Sequence, residues 1–255
     1  YIRTSTDGGA TWTDRNAAAG ATTTGLMGCA IGPSGQMIAV GFNGYIRTST
    51  DGGATWTDRN AAAGATTTIL YGTPAIGPSG EMIAVGASGY IRTSTDGGAT
   101  WTDRKAAAGT GGFTMYGSAI GPTGEMLFVG GNGYIRTSTD GGVTWTDRAA
   151  AAGIGGGDGY NCTIGPTGNM LAVGSSGWIR ASTDGGATWT DINSEAGSPV
   201  TAIWSGSTGD LGESLIGGAG GYIQTNDAYV YDAATEFALP LFPTINSQQA
   251  YIKAT

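Results

Sequence analysis

The sequence predicts an all-β fold, a β-propeller of four-stranded antiparallel blades, on three observations. First, Ser5-Thr6-Asp7-Gly8-Gly9-Ala10-Thr11-Trp12 returns at 49–56, 94–101, 138–145 and 182–189, which sets Asp7, Asp51, Asp96, Asp140 and Asp184 44 or 45 residues apart. A fixed period of this size belongs to stacked or radial repeat folds. Second, each period holds four short apolar or β-branched runs between Gly- and Pro-containing turns, which is the content of a propeller blade. Third, glycine supplies 49 of 255 residues and charged residues only 12%, a composition suited to many tight turns.

The period at 64–105 shows the elements in order. The apolar run Ile69 to Ile76 is the first strand, A, nearest the axis. Gly77-Pro78-Ser79-Gly80 turns the chain,. Glu81-Met82-Ile83-Ala84-Val85 is strand B, and Ser88-Gly89 a short turn. Tyr90-Ile91-Arg92-Thr93-Ser94 is strand C, the repeated octapeptide is a turn, and Thr100 to Arg104 is the outer strand D. The same division fits the other periods, with A–B turns at 32–35, 121–124 and 165–168. Residues 1–24 and 45–68 are identical, which invites misregistered pairing during folding,.

Within the repeated turn, aspartate is placed to accept hydrogen bonds from backbone N–H groups of its own turn. The paired glycines allow positive φ. The tryptophans Trp12, Trp56, Trp101, Trp145 and Trp189 pack beside it,. Arg3, Arg47, Arg92, Arg136 and Arg180 recur on C strands, and Asp14, Asp58, Asp103, Asp147 and Asp191 on D strands. They read as outer-strand ion pairs or hydrogen bonds. The octapeptide resembles the Asp-box (S-x-D-x-G-x-T-W) of sialidase-like propellers, where it is a structural turn. An aspartate present in every blade is a scaffold residue, and a calcium loop needs more oxygen ligands than this turn offers.

After Thr190 the pattern decays. Trp204 keeps the register of Tyr160, and Tyr222-Ile223 that of Trp178-Ile179, but Ala228 stands where the aspartate belongs. This reads as a degenerate terminal repeat. The chain opens at Tyr1 within a blade, so it reads as a possible piece of a longer protein, and closing the ring requires two further strands. Phe237–Phe242 and Ala250–Thr255 are the candidates, giving six blades without a free sheet edge,. Five blades with a separate tail is the alternative. The expected domain is 1–234, with 235–255 as closing strands or tail. Cys29 and Cys162 stand at equivalent positions three repeats apart, too distant for a disulfide, and both read as small buried residues,.

Net charge is −8 with a pI near 4.3, which argues against nucleic acid and anionic membrane as partners. No apolar run is long enough to span a bilayer,. Histidine is absent, which excludes Ser-His-Asp and His-metal sites; no metal or cofactor is expected. The likeness to sialidases implies an arginine triad, a Tyr/Glu pair and an acid Asp near the axis. The A strands carry no Arg, Asp or Glu, and Asp158, Glu195, Asp210, Glu213, Asp227, Asp232 and Glu236 form no recognisable set. No catalytic residue is therefore assigned, and the chain reads as a non-enzyme.

Binding residues are expected in the variable D-to-A connections, 16–25, 60–68, 105–112, 149–159 and 192–199,. Just inside them one position reads Met27, Tyr71, Tyr116, Tyr160 and Trp204 in successive repeats. Such a near-ring of aromatics suits stacking on sugars or gripping a peptide; it also suits filling the gaps between blades. The C-terminal Glu236-Phe237-Ala238-Leu239-Pro240 and Ala250-Tyr251-Ile252-Lys253-Ala254-Thr255 resemble the ends of bacteriophage tail-fibre and collar-type proteins. That implies a non-enzymatic protein at the virion exterior, homo-oligomeric in the particle, with other virion proteins and host surface glycan as partners. The T-x-D-G-G-x-T-W repeats are also similar to those of photosystem II assembly-type propellers, which bind proteins. A sialidase-like glycoside hydrolase is the remaining alternative.

Overall fold

The computed structural model describes residues 1–20, 23–64, 67–149, 152–153, 157–192, 202–209, 213–219 and 223–226. Strands β1 (Arg3–Thr4) and β2 (Thr13–Asp14) form a two-stranded sheet. Four four-stranded sheets follow, each an antiparallel meander in chain order. The first holds β3 (Leu26–Ile31), β4 (Met37–Gly41), β5 (Ile46–Ser49) and β6 (Thr57–Asp58). The second holds β7 (Ala75–Ile76), β8 (Met82–Val85), β9 (Ile91–Ser94) and β10 (Thr102–Asp103). The third holds β11 (Met115–Ile120), β12 (Met126–Gly130), β13 (Ile135–Ser138) and β14 (Thr146–Asp147). The fourth holds β15 (Gly159–Ile164), β16 (Met170–Gly174), β17 (Ile179–Ser182) and β18 (Thr190–Asp191). A three-stranded sheet, β19 (Ile203–Thr208), β20 (Ser214–Gly218) and β21 (Ile223–Asn226), completes the described chain.

These sheets are propeller blades. Innermost strands of successive blades lie against one another, β3 on β7, β7 on β11, β11 on β15 and β15 on β19. Thr73 donates its N–H to Tyr116 O at 3.2 Å across one such junction, and Ser118 Oγ donates to Thr73 O at 2.6 Å. The second strands sit between neighbours on both faces and are buried throughout in β4, β8, β12 and β16. That explains their unbroken apolar sequence, where an exposed sheet would alternate. Within β8, Met82 and Ala84 pack with Ile38, Val40 and Leu70, while Ile83 and Val85 pack with Met115 and Phe128. The core is thus a series of layers between blades, each built from two adjacent repeats.

Several sequence expectations change in detail. The first strand of the second complete blade is regular only at Ala75–Ile76, because Pro74 offers no donor to the ladder. The 105–112 connection contains a short helix, α1 (Lys105–Ala108), closed by Gly109 at φ 61°. The outer strands are only two residues long. Cys29 is exposed, contrary to expectation, while Cys162 is buried; both are free thiols. Trp12 is exposed, whereas Trp56, Trp101, Trp145 and Trp189 are half-buried. Trp204 and Ile223 fall on β19 and β21, as their register predicts. The candidate closing strands 237–242 and 250–255, Tyr222, Ala228 and the 234/235 boundary lie outside the described residues.

The repeated turn is a self-contained hydrogen-bond unit. Asp51 Oδ2 accepts from Thr55 Oγ1 at 2.5 Å and Oδ1 from Thr55 N–H at 2.9 Å. Ser49 Oγ donates to Asp51 Oδ1 at 2.8 Å and accepts from Gly53 N–H at 2.9 Å. Trp56 Nε1 donates to Gly53 O at 2.9 Å. Gly52 and Gly53 adopt φ of 68° and 86°. The hydroxyl of Thr55, its amide and the Ser49 hydroxyl hold the Asp51 carboxyl down at about 2, and the same groups do so for Asp96, Asp140 and Asp184. Each folded value lies below the ordinary carboxylate value, so the stabilisation is present above that value and is lost as pH falls through the folded one. Thermal melts are expected to be flat between about pH 7 and 5 and to fall most steeply between about pH 4 and 2. A steepest loss above pH 5 would contradict the turn geometry.

Four of the five expected outer pairs form ion pairs; none is present between Arg3 and Asp14, which face each other across β1 and β2. Arg47–Asp58, Arg92–Asp103, Arg136–Asp147 and Arg180–Asp191 lie 2.7 to 3.0 Å apart. Arg47, Arg92 and Arg136 also lie over Tyr45, Tyr90 and Tyr134, with 4.7 to 4.8 Å between guanidinium carbon and ring centre. Half of each ion pair is exposed, which limits its contribution to stability.

Candidate functional site

Four of the five positions singled out in the sequence sit at one recurring irregularity; Tyr71 precedes the short β7 and lies outside the ladder. The register between first and second strands shifts between Leu26 and Gly28, Met115 and Gly117, Gly159 and Asn161, and Ile203 and Ser205. The residue skipped in each case is Met27, Tyr116, Tyr160 or Trp204. A β-bulge leaves its extra residue out of the ladder and re-aims its side chain. The bulge therefore directs these side chains out of the sheet at the innermost strand of each blade.

A small residue follows the bulge where blades approach most closely. A Cβ added at Gly117 would lie 2.9 Å from Asn161 Cα, and one at Gly28 would lie 2.8 Å from Pro74 Cδ. Glycine lets the neighbouring backbone come this near. The approach brings the aromatic rings into contact. Tyr116 and Tyr160 meet edge to face, centroids 5.9 Å apart at 70°. Tyr160 and Trp204 stack at 4.7 Å and 26°. Three consecutive blades thus contribute one continuous aromatic arc. Trp204 is 55% exposed, and Tyr116 and Tyr160 are half-buried.

Burial raises the Tyr116 hydroxyl above its ordinary value, with the nearby Asp158 carboxylate next in effect and the Tyr160 and Tyr71 hydroxyls adding to it. Thr73 bridges Gly117 and donates its N–H to Tyr116 O, which sets the 71–73 segment beside Tyr116. Met27, on β3, is 45% exposed and borders a separate cleft beside β1. Ring contacts thus join three of the five sequence candidates, Tyr116, Tyr160 and Trp204.

Asp158, within the 149–159 connection where binding residues are expected but in no recognisable set of acids, also belongs to this site. Its Oδ1 accepts the Asn132 N–H at 3.0 Å, which ties the 157–158 segment to the turn of the preceding blade. The bulge itself had a legible signal. Met27, Tyr71 and Tyr116 each precede a glycine inside a strand run, and such a glycine marks a bulge or a close backbone approach.

The arc offers stacking faces, phenol hydroxyls and one carboxylate. Among the described residues, no group of three or more His, Cys, Asp or Glu side chains could hold a metal ion. No helix among them is long and apolar enough to cross a membrane. Arg47, Arg92, Arg136 and Arg180 lie on the third strands, paired to outer-strand aspartates, away from the arc.

No family model matches the sequence, and no curated protein matches it in sequence. Its fold is similar to that of several solved propellers. One is YCF48 bound to D1 peptide, with a TM-score of 0.60, 20% identity and coverage of 81% of this chain and 66% of that one. YCF48 from Cyanidioschyzon merolae gives a TM-score of 0.57, 19% identity and coverage of 84% and 70%. The GH74 xyloglucanase from Xanthomonas campestris gives a TM-score of 0.60, 16% identity and coverage of 79% and 36%. The chain spans from about a third to somewhat over two thirds of these proteins. At such identities the likeness establishes the architecture that the strands already show: this chain is a β-propeller.

Proposed function

We propose that the protein is a non-enzymatic binding propeller of a virion exterior, and that its aromatic arc binds a neutral glycan of the host surface. The observation that carries this reading is the contiguity of Tyr116, Tyr160 and Trp204 across three blades. A row of rings with one broadly exposed member suits the apolar faces of successive sugar units, while phenol hydroxyls hydrogen-bond their polar edges. The charge beside the arc is the Asp158 carboxylate, which disfavours acidic sugars such as sialosides,. The resemblance of Phe237–Pro240 and Ala250–Thr255 to tail-fibre and collar-type ends supports the virion setting, with other virion proteins and further copies of the chain as neighbours.

An array of neutral and acidic glycans tests the reading. Retention of neutral oligosaccharides is expected. Absence of any glycan signal, together with tight capture of other virion proteins, would replace the adhesin role with a scaffold. Turnover of a sialoside or of an array glycan would overturn the non-enzymatic assignment. A peptide is the second reading for the same arc, favoured by the structural likeness to a propeller bound to a peptide.

A further inference from the structure

Three departures from the repeat meet beside the arc. Two residues before the Met27, Tyr71, Tyr116, Tyr160 and Trp204 position the repeats read Gly25, Ile69, Thr114, Asp158 and Ala202, so one blade alone places a carboxylate there. One residue earlier still, Phe113 stands where the other repeats carry threonine or glycine. At the first residue of the turn between second and third strands, Phe42, Ala87, Ser175 and Ala219 give way to Gly131 in the third complete blade. Blades so nearly alike supply the scaffold, and recognition belongs to the loop residues that differ between them. The structure brings the three together. A Cβ added at Gly131 would lie 3.5 Å from Asp158 Oδ1 and 4.0 Å from Phe113 Cδ1, so the two side chains converge on it from successive blades. Phe113 is exposed and leans on Tyr134, with centroids 5.4 Å apart at 41°. Asp158 is half-buried. Its Oδ1 is taken by the Asn132 N–H, while Oδ2 has no hydrogen-bond or ion-pair partner among the described residues. The same carboxylate acts on the Tyr116 hydroxyl at the end of the arc.

We propose that Asp158 and Phe113 seat an ammonium group, so that the glycan on the arc carries an amino sugar with a free amine beside its uncharged units. The proposal rests on the arc being a glycan site. A half-buried carboxylate with one open oxygen accepts a charge-assisted hydrogen bond from an ammonium, and the face of an adjacent aromatic ring attracts the same cation. The nearest basic side chain by sequence, Lys105, is engaged elsewhere, its Nζ donating to Ser88 O at 2.6 Å. A sugar unit beyond Tyr116 brings its amine to Asp158 while its neighbours stack on Tyr160 and Trp204. An N-acetylated amine has no charge to offer Asp158, and an acidic sugar is repelled by it.

Calorimetric titration of the full chain with two matched probes tests this: the chitin tetramer and its fully de-N-acetylated form, at about pH 5.5 so that the amines are protonated. The free-amine tetramer is expected to bind about 10-fold or more tightly than the acetylated one. Asp158→Asn keeps the side chain's size and its acceptor for the Asn132 N–H. It is expected to abolish the preference while leaving affinity for the acetylated tetramer within about 2-fold. Phe113→Ala is expected to reduce the preference about 3-fold. With a net charge of −8 on the chain, removing one carboxylate barely alters long-range attraction, so the loss reads the local contact. Binding of the acetylated tetramer with no preference for the free amine would overturn this proposal and leave the arc's glycan reading standing. So would a preference that either variant leaves unchanged. Failure of both tetramers to bind would overturn the two together, also where a lysine-rich peptide is captured in their place.

Discussion

Replacing Phe128 with alanine is expected to cost about 3–5 kcal/mol, among the larger losses a single core substitution produces. Phe128 is fully buried on β12. It packs with Ile83, Val85 and Met115, and its ring meets Trp145 edge to face at 4.8 Å and 61°. The substitution would empty a space between two blades. Each wall of that space is a hydrogen-bonded sheet, so neither can collapse inward without breaking its own ladder. The cost should accordingly sit at the upper end for large-to-small changes. Chemical denaturation with an unchanged m-value would measure it, and a melting temperature lower by about 10 °C is expected in parallel. A loss below about 1 kcal/mol would mean that the inter-blade layers are not the source of stability.

Tyr160→Ala is expected to have the largest effect on binding. Tyr160 is the middle ring, touching Tyr116 on one side and Trp204 on the other. Its removal would take away one stacking face and free the Trp204 ring to turn. A loss of about 10- to 100-fold in affinity for a neutral glycan is expected, equivalent to about 1.4–2.8 kcal/mol. Tyr160→Phe should retain most of the affinity if stacking dominates and lose it if the hydroxyl does. Val143, exposed on a repeated turn of the third complete blade, supplies the control: Val143→Ala should leave affinity unchanged. Isothermal titration of the three variants against one oligosaccharide separates these outcomes.

The fold was largely legible because the features that build it are local and repeated. The turn of Ser49 to Trp56 closes through its own hydrogen bonds, so its sequence alone specifies it. Arg47 and Asp58 pair because antiparallel β5 and β6 place them opposite each other. What escaped the sequence depends on relations between blades. Cys29 and Cys162 are equivalent in sequence, yet their exposure differs because it is set by the neighbouring blade. Second strands such as Met82–Val85 were recognisable as strands, but that packing from both sides buries every residue was not. Tyr116, Tyr160 and Trp204 were recognisable as one recurring position. Their contact, however, depends on how closely the blades approach at Gly117, a distance that a glycine in a strand run signals but does not measure,. Asp158 joins them through a turn in the preceding blade, a contact with no sequence periodicity at all.

The most direct test of the central claim is a crystal structure of the full chain with a neutral oligosaccharide selected on the array. The account predicts a sugar ring stacked on Trp204, with further units passing over Tyr160 and Tyr116. Oligosaccharide seated on the outer repeated turns or in the cleft beside β1, with the arc bare, would contradict it.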